Sequence, residues 1–160
     1  MSKALTVWFS ASHQTEKLAK TIAAASGSDL YEIKPAVPYT AADLDWRNSK
    51  SRSSLEMKDP ASRPEMIQDT PDLSLYNTIF VGFPIWWYTA PHIILTFLEN
   101  NDLSGKTIIP FATSGGSGID GRAKDLQKAC PHAGFKAGRK MSAGESLESV
   151  QKWIGSLGLQ

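Results

Sequence analysis

A single cysteine, Cys130, stands in a chain of 160 residues. That excludes an internal disulfide framework and any multi-cysteine metal site. Net charge is equally scarce: 17 lysines and arginines face 16 aspartates and glutamates, for a formal charge of +1. A near-neutral chain exerts no long-range pull on nucleic acid or an anionic membrane, so neither is expected as a partner. No apolar run approaches the roughly 18 residues of a spanning helix. The start of the chain runs into a strand-like stretch at Ala4 with no basic head or cleavable apolar segment, so no signal peptide is read and a cytoplasmic location is expected. What is present is a composition near the globular average, 41% hydrophobic and 21% charged. The length suits one domain over 1–160 with a core of its own.

Strand and helix patterns alternate along the chain. Residues 4–9, Ala-Leu-Thr-Val-Trp-Phe, are short, apolar and rich in β-formers, as in a strand buried on both faces. Leu18, Ala19, Ile22 and Ala23 then recur at helical spacing, with Gly27 as a stop. Further strands are predicted over 29–33, 78–83 and 107–111, and a weaker one over 135–139. Helices are predicted around 92–100, 120–130 and 146–157. Such alternation implies crossover connections and a parallel sheet covered by helices on both faces. The polar stretch from Pro35 to Pro71 breaks the rhythm; a helix over 41–57 is expected within it, and the rest is read as an excursion over the sheet.

Ligands of such sheets sit beyond the carboxyl ends of the strands, where the winding reverses. Three loops therefore matter. Ser10, Ser12 and Thr15 crowd hydroxyls into the first, at a helix start whose N–H groups lack backbone partners. Hydroxyls there either cap the helix or hold an anion, and the loop alone leaves both open. Neither a nucleotide triphosphatase loop nor a Rossmann glycine pattern follows the first strand. The second loop, Pro84-Ile85-Trp86-Trp87-Tyr88-Thr89-Ala90-Pro91, holds three successive large aromatics that cannot all face the core. One reading stacks a ring on a flat heterocycle; the other packs Trp86 and Trp87 inward. The third, Thr113-Ser114-Gly115-Gly116-Ser117-Gly118, lets a backbone approach a ring edge closely, or is simply a glycine-serine loop.

Taken together, Phe-Ser-Ala-Ser-His-Gln-Thr at 9–15, Gly-Phe-Pro-Ile-Trp-Trp at 82–87 with Ala90-Pro91, and Thr-Ser-Gly-Gly-Ser-Gly at 113–118 make the chain resemble the flavodoxin family over nearly its whole length. It is most similar to a bacterial subgroup carrying a Pro-Ile-Trp-Trp loop. The resemblance implies an α/β flavodoxin-like three-layer sandwich, with a five-stranded parallel sheet in order 2-1-3-4-5 and non-covalent FMN. By position, Ser10, Ser12, His13, Gln14 and Thr15 would hold the ribityl phosphate. Pro84, Ile85, Trp86, Trp87 and Tyr88 would flank the isoalloxazine, and Thr113, Ser114, Gly115 and Gly116 would line its pyrimidine edge.

Two positions depart from the family pattern. His13 occupies the usual glycine of the phosphate loop; histidine tolerates a positive φ less well than glycine, and it places a titratable group near a phosphate. Tyr88 replaces the glycine that usually follows Trp-Trp, and tyrosine resists the turned peptide that stabilises a half-reduced flavin. The near-neutral charge also differs from the acidic surface of typical electron-carrying flavodoxins.

Other residues read as structural. His92 is expected at a helix start or rim, His132 at the surface and Cys130 as a small buried residue. Arg47, Arg52, Lys58 and Arg63 could meet a phosphate but are read as a solvated face. No catalytic side chain and no metal centre is predicted. Three functions compete: an FMN-binding low-potential electron carrier between redox partner proteins, which is preferred; an FMN-dependent reductase using NAD(P)H and a quinone-type acceptor; and a flavodoxin-like module without cofactor. A monomer or weak dimer is expected.

Overall fold

The computed structural model describes residues 3–11, 13–86, 90–113, 123–136 and 138–158. Strand β1 (Ala4–Trp8) leads to helix α1 (Gln14–Ser26) and strand β2 (Asp29–Glu32). After the excursion, which holds α2 (Arg52–Lys58), come β3 (Thr78–Pro84), α3 (His92–Asn100) and β4 (Thr107–Thr113). The chain continues through α4 (Ala123–Ala129), the short strands β5 (Gly134–Phe135) and β6 (Arg139–Met141), and α5 (Leu147–Ser156). Every strand pair is parallel, in the order β2-β1-β3-β4-β5, with β6 also on β4. This is the α/β sandwich expected from the alternation of patterns.

The central strands are buried on both faces, and their side chains sort by period 2. Leu5, Val7, Phe9, Ile79, Val81, Phe83, Ile108 and Ala112 meet Ile93, Ile94 and Phe97 of α3 in one core. Trp8, Phe80, Ile109 and Phe111 meet Leu18 and Ile22 of α1 and Val150 and Trp153 of α5 in the other. Each fully buried side chain of this size contributes about 1.5–3 kcal/mol of transfer free energy. Gly82 belongs to the second face because a Cβ there would overlap the Phe111 ring. Helix α1 stops at Gly27, whose φ of 70° closes a 2.8 Å bond from its N–H to the Ala23 carbonyl.

Two expectations need correction. Residues 41–49 form turns, and only 52–58 are helical. Short polar side chains capture the local backbone instead: Thr40 and Asp43 bond each other's N–H groups, Asp45 accepts from Arg47 N, and Asn48 accepts from Lys50 N. Helix α2 begins only where Ser51 Oγ caps Ser54 N. An antiparallel bridge between Pro35 and Met66 closes the excursion at its base.

The weak strand over 135–139 is split into two pieces. Ile108 pairs with Phe135 and Phe111 with Arg139, so three steps on β4 face four on its neighbour. Lys136 N donates to the Ile108 carbonyl, so the alternate residue Pro110 points the same way. Proline offers no N–H there, and the ladder breaks opposite it.

Candidate functional site

Thr113, the last residue of β4, draws the predicted loops together. Its buried hydroxyl lies 2.8 Å from that of Thr15, in the first turn of α1. Its carbonyl accepts from Ile85 N at 3.0 Å, just past the end of β3. The first and second loops thus meet the third at the carboxyl rim of the sheet. Thr15 is 1% exposed, so its hydroxyl faces the protein, whereas the neighbouring Gln14 is exposed.

The first loop carries two features that a plain helix cap would lack. His13 precedes α1 with φ 66° and ψ 0°, a left-handed conformation, and its side chain makes no capping bond. The start of α1 therefore keeps N–H groups that no cap side chain satisfies. Ser10 Oγ is sealed from solvent and has no hydrogen-bond partner among the described residues. The predicted strain at His13 is thus present and tolerated. Its exposed ring lies 3.6 Å from Glu16, whose carboxyl is held below its ordinary range by the Lys20 hydrogen bond and, to a smaller degree, by His13.

Trp86 is half-buried and packs edge-on against Phe9, with ring centroids 5.8 Å apart, and against Tyr39 at 5.6 Å. Pro84 and Ile85 are half-buried beside it. Ser12, Trp87, Tyr88, Ser114, Gly115 and Gly116 lie outside the described residues.

Tyr39 is the rim residue that sequence reasoning missed. Its hydroxyl donates to Glu56 Oε1 at 2.5 Å, and burial, then Glu56, raises its pKa. Arg52 stacks on the ring, with its guanidinium carbon 3.8 Å from the centroid. It also donates to Glu56 Oε2 at 3.0 Å and to the Val37 carbonyl at 2.6 Å. Arg52 is therefore structural and only part-exposed, not part of a solvated face, and it fixes Tyr39 against Trp86. Its i,i+4 spacing to Glu56 was the available signal. Arg63 pairs with Glu99 at 2.9 Å, and Arg47 lies over its neighbour Trp46.

His92 is buried at the start of α3, 2.6 Å from Ser62 Oγ, while His132 is exposed. Cys130 is buried, and burial pushes its thiol up to about 11. Among the described residues no helix is long and apolar enough to cross a membrane.

An open parallel sheet in this order, with loops converging over its carboxyl ends, defines a flavodoxin-like α/β protein. The chain belongs to the flavodoxin family, whose model it matches over residues 3–157. A candidate flavoprotein from Bacteroides eggerthii DSM 20697 is 44% identical over all of both chains, with a TM-score of 0.94. Another, from Bacteroides uniformis ATCC 8492, is 49% identical over 96% of this chain and 98% of its own, with a TM-score of 0.92. A Lactobacillus acidophilus NCFM flavoprotein solved in complex with FMN is 21% identical over 96% and 99% of the two chains, with a TM-score of 0.74. No curated protein matches.

Proposed function

We propose that the chain binds FMN at the sheet rim and serves as an electron-transfer protein. The observation that carries this reading is the sealed, unpartnered hydroxyl of Ser10 beside a helix start that has no side-chain cap. A buried polar group without a partner costs about 1–3 kcal/mol, and phosphate oxygens are the acceptors that would offset it. Ser10, Ser12, His13, Gln14 and Thr15, the last through its backbone N–H in the first turn of α1, hold the phosphate; Pro84, Ile85, Trp86, Trp87 and Tyr88 flank the ring; Thr113, Ser114, Gly115 and Gly116 meet its edge. Bound FMN supplies the redox chemistry, taking up and releasing one or two electrons. The protein orients it: Arg52 and Glu56 hold Tyr39 in place, and Tyr39 steadies Trp86.

A second reading, an FMN-dependent reductase using NAD(P)H and a quinone-type acceptor, is favoured by the near-neutral charge of +1 and by Tyr88 after the paired tryptophans. Acidic steering toward a basic protein partner is weak in such a chain.

Titration of flavin-stripped protein with FMN and riboflavin tests the site. Ser10→Ala removes a buried hydroxyl that no described residue uses, so the flavin-free protein should be at least as stable as the parent, while FMN affinity falls about tenfold and riboflavin affinity stays unchanged. Equal losses for both flavins would remove Ser10 from the phosphate site. Negligible NADPH oxidation by the yellow protein supports the carrier; rapid NADPH consumption with a quinone supports the reductase.

A further inference from the structure

A cleft of about 320 Å³ opens on the sheet face that carries α3 and α4, away from the phosphate loop. Ala90, Leu95 and Leu126 form its buried apolar wall, and His92, Arg63, Glu99, Lys128, Pro60 and Ala129 complete the lining. Ala90 is four residues beyond Trp86, so the cleft adjoins the aromatic loop in the chain.

The hydrogen bonds around His92 fix its tautomer. Ser62 has one hydroxyl proton, and it donates to the Glu56 carbonyl at 2.6 Å. Toward His92 the Ser62 oxygen can therefore only accept, so Nδ1, at 2.6 Å, carries the proton. Nε2 is left as a bare acceptor. Among the described residues it has no hydrogen-bond partner, and the ring it belongs to lines the cleft. Burial, then the Arg63 guanidinium, lowers the pKa of the ring and keeps it neutral at pH 7.

The charged groups narrow the ligand further. Two of the three Arg63 nitrogens are engaged: Nε donates to Glu99, and one terminal nitrogen donates to the Pro60 and Ser62 carbonyls. Glu99 is paired with Arg63 and Lys128 also lines the cleft, but a carboxylate or phosphate on the ring nitrogen would still meet the lone pair of a neutral imidazole. A carbonyl would find an acceptor where it needs a donor. A flat apolar ring bearing a hydroxyl satisfies both the wall and the nitrogen, and the volume suits one or two rings.

We propose that this cleft binds a small hydroxylated aromatic, a phenol or quinol, whose O–H donates to Nε2 of His92 while its ring lies on Ala90, Leu95 and Leu126. The assignment rests on the walls of the cleft and stands apart from the FMN reading. Beside a redox rim, such a site favours the reduced, hydroxyl-bearing form of a quinone over the oxidised form.

The test is an NMR titration of the full chain, with and without added FMN, using 4-methylphenol and its ether 4-methylanisole. The phenol should shift the His92 ring nitrogens and the Leu95 and Leu126 methyls, and bind about tenfold tighter than the ether, which has no O–H to give. In His92→Phe the phenol should fall to the level of the ether. Absent shifts, equal binding of the two probes, or a preference that survives His92→Phe would each overturn the proposal. Should His92→Phe not fold, the two probes on the parent protein decide alone. Flavin absorbance separates the two ideas: a yellow protein without phenol preference sinks this site only, and a colourless protein with it sinks the FMN reading only.

Discussion

Removing the Thr15 hydroxyl tests whether the rim is held together from within. Valine matches threonine in shape, and Thr15 is 1% exposed, so Thr15→Val changes one polar atom and little packing. The atom lost is half of a buried hydroxyl pair at 2.8 Å, which leaves Thr113 Oγ1 without that partner. An orphaned buried hydroxyl costs about 1–3 kcal/mol. In a domain of this size each kcal/mol lowers the melting midpoint by roughly 2–4 °C, so a fall of about 4–8 °C is expected for a mid-range loss. Replacing both partners with apolar groups of like shape is nearly neutral, so Thr15→Val/Thr113→Val should lose much less than the sum of the two singles. Thermal melts of the four proteins, run without flavin, close the cycle and should give a coupling of about 1 kcal/mol or more. A single variant that melts like the parent, or a double that is simply additive, would refute an internal tie between the two loops.

His13→Gly should raise the midpoint by about 2–4 °C, because the left-handed backbone that costs a side-chain-bearing residue about 1 kcal/mol is free to glycine; His13→Val should lower it. The exposed His13–Glu16 contact at 3.6 Å offsets little of that gain, and a glycine variant that melts lower would contradict the strain argument. Cys130 should resist iodoacetamide at pH 8 and react readily only as pH approaches about 11, or after unfolding. With the folded thiol titrating higher than the unfolded one, its contribution to stability is complete below the ordinary thiol range and is lost as pH rises toward 11; rapid labelling of the native protein at pH 8 would show the thiol to be accessible and ionised.

The residues that were legible in the sequence are those whose surroundings repeat. Strands β1, β3 and β4 are buried on both faces, so their apolar runs announce themselves without knowledge of neighbours. Thr15 and Thr113 were each recognisable as loop residues with hydroxyls, but the bond joining them spans 98 positions, and no local pattern encodes it. The excursion was opaque for a related reason. Arg52 and Glu56 have the spacing of a helical ion pair, yet nothing nearby says that Tyr39 will lie under that guanidinium or that Trp86 will meet its ring. The helix expected over 41–57 shrinks to 52–58 because Thr40, Asp43, Asp45 and Asn48 bind the backbone themselves. The positive φ at His13 was anticipated because the resemblance placed a glycine there, which is a statement about backbone shape.

Pro110 has an effect that reaches past its own strand. A sheet's outermost strand offers a free row of amides and carbonyls on which another chain can template itself. Here that border is two pieces of 2 and 3 residues, thrown out of step by the extra residue opposite the proline. An approaching strand would find no run long enough to zip along. An imino acid in the interior thereby makes this edge, unlike the unbroken one at β2, a poor template, at the cost of one missing rung.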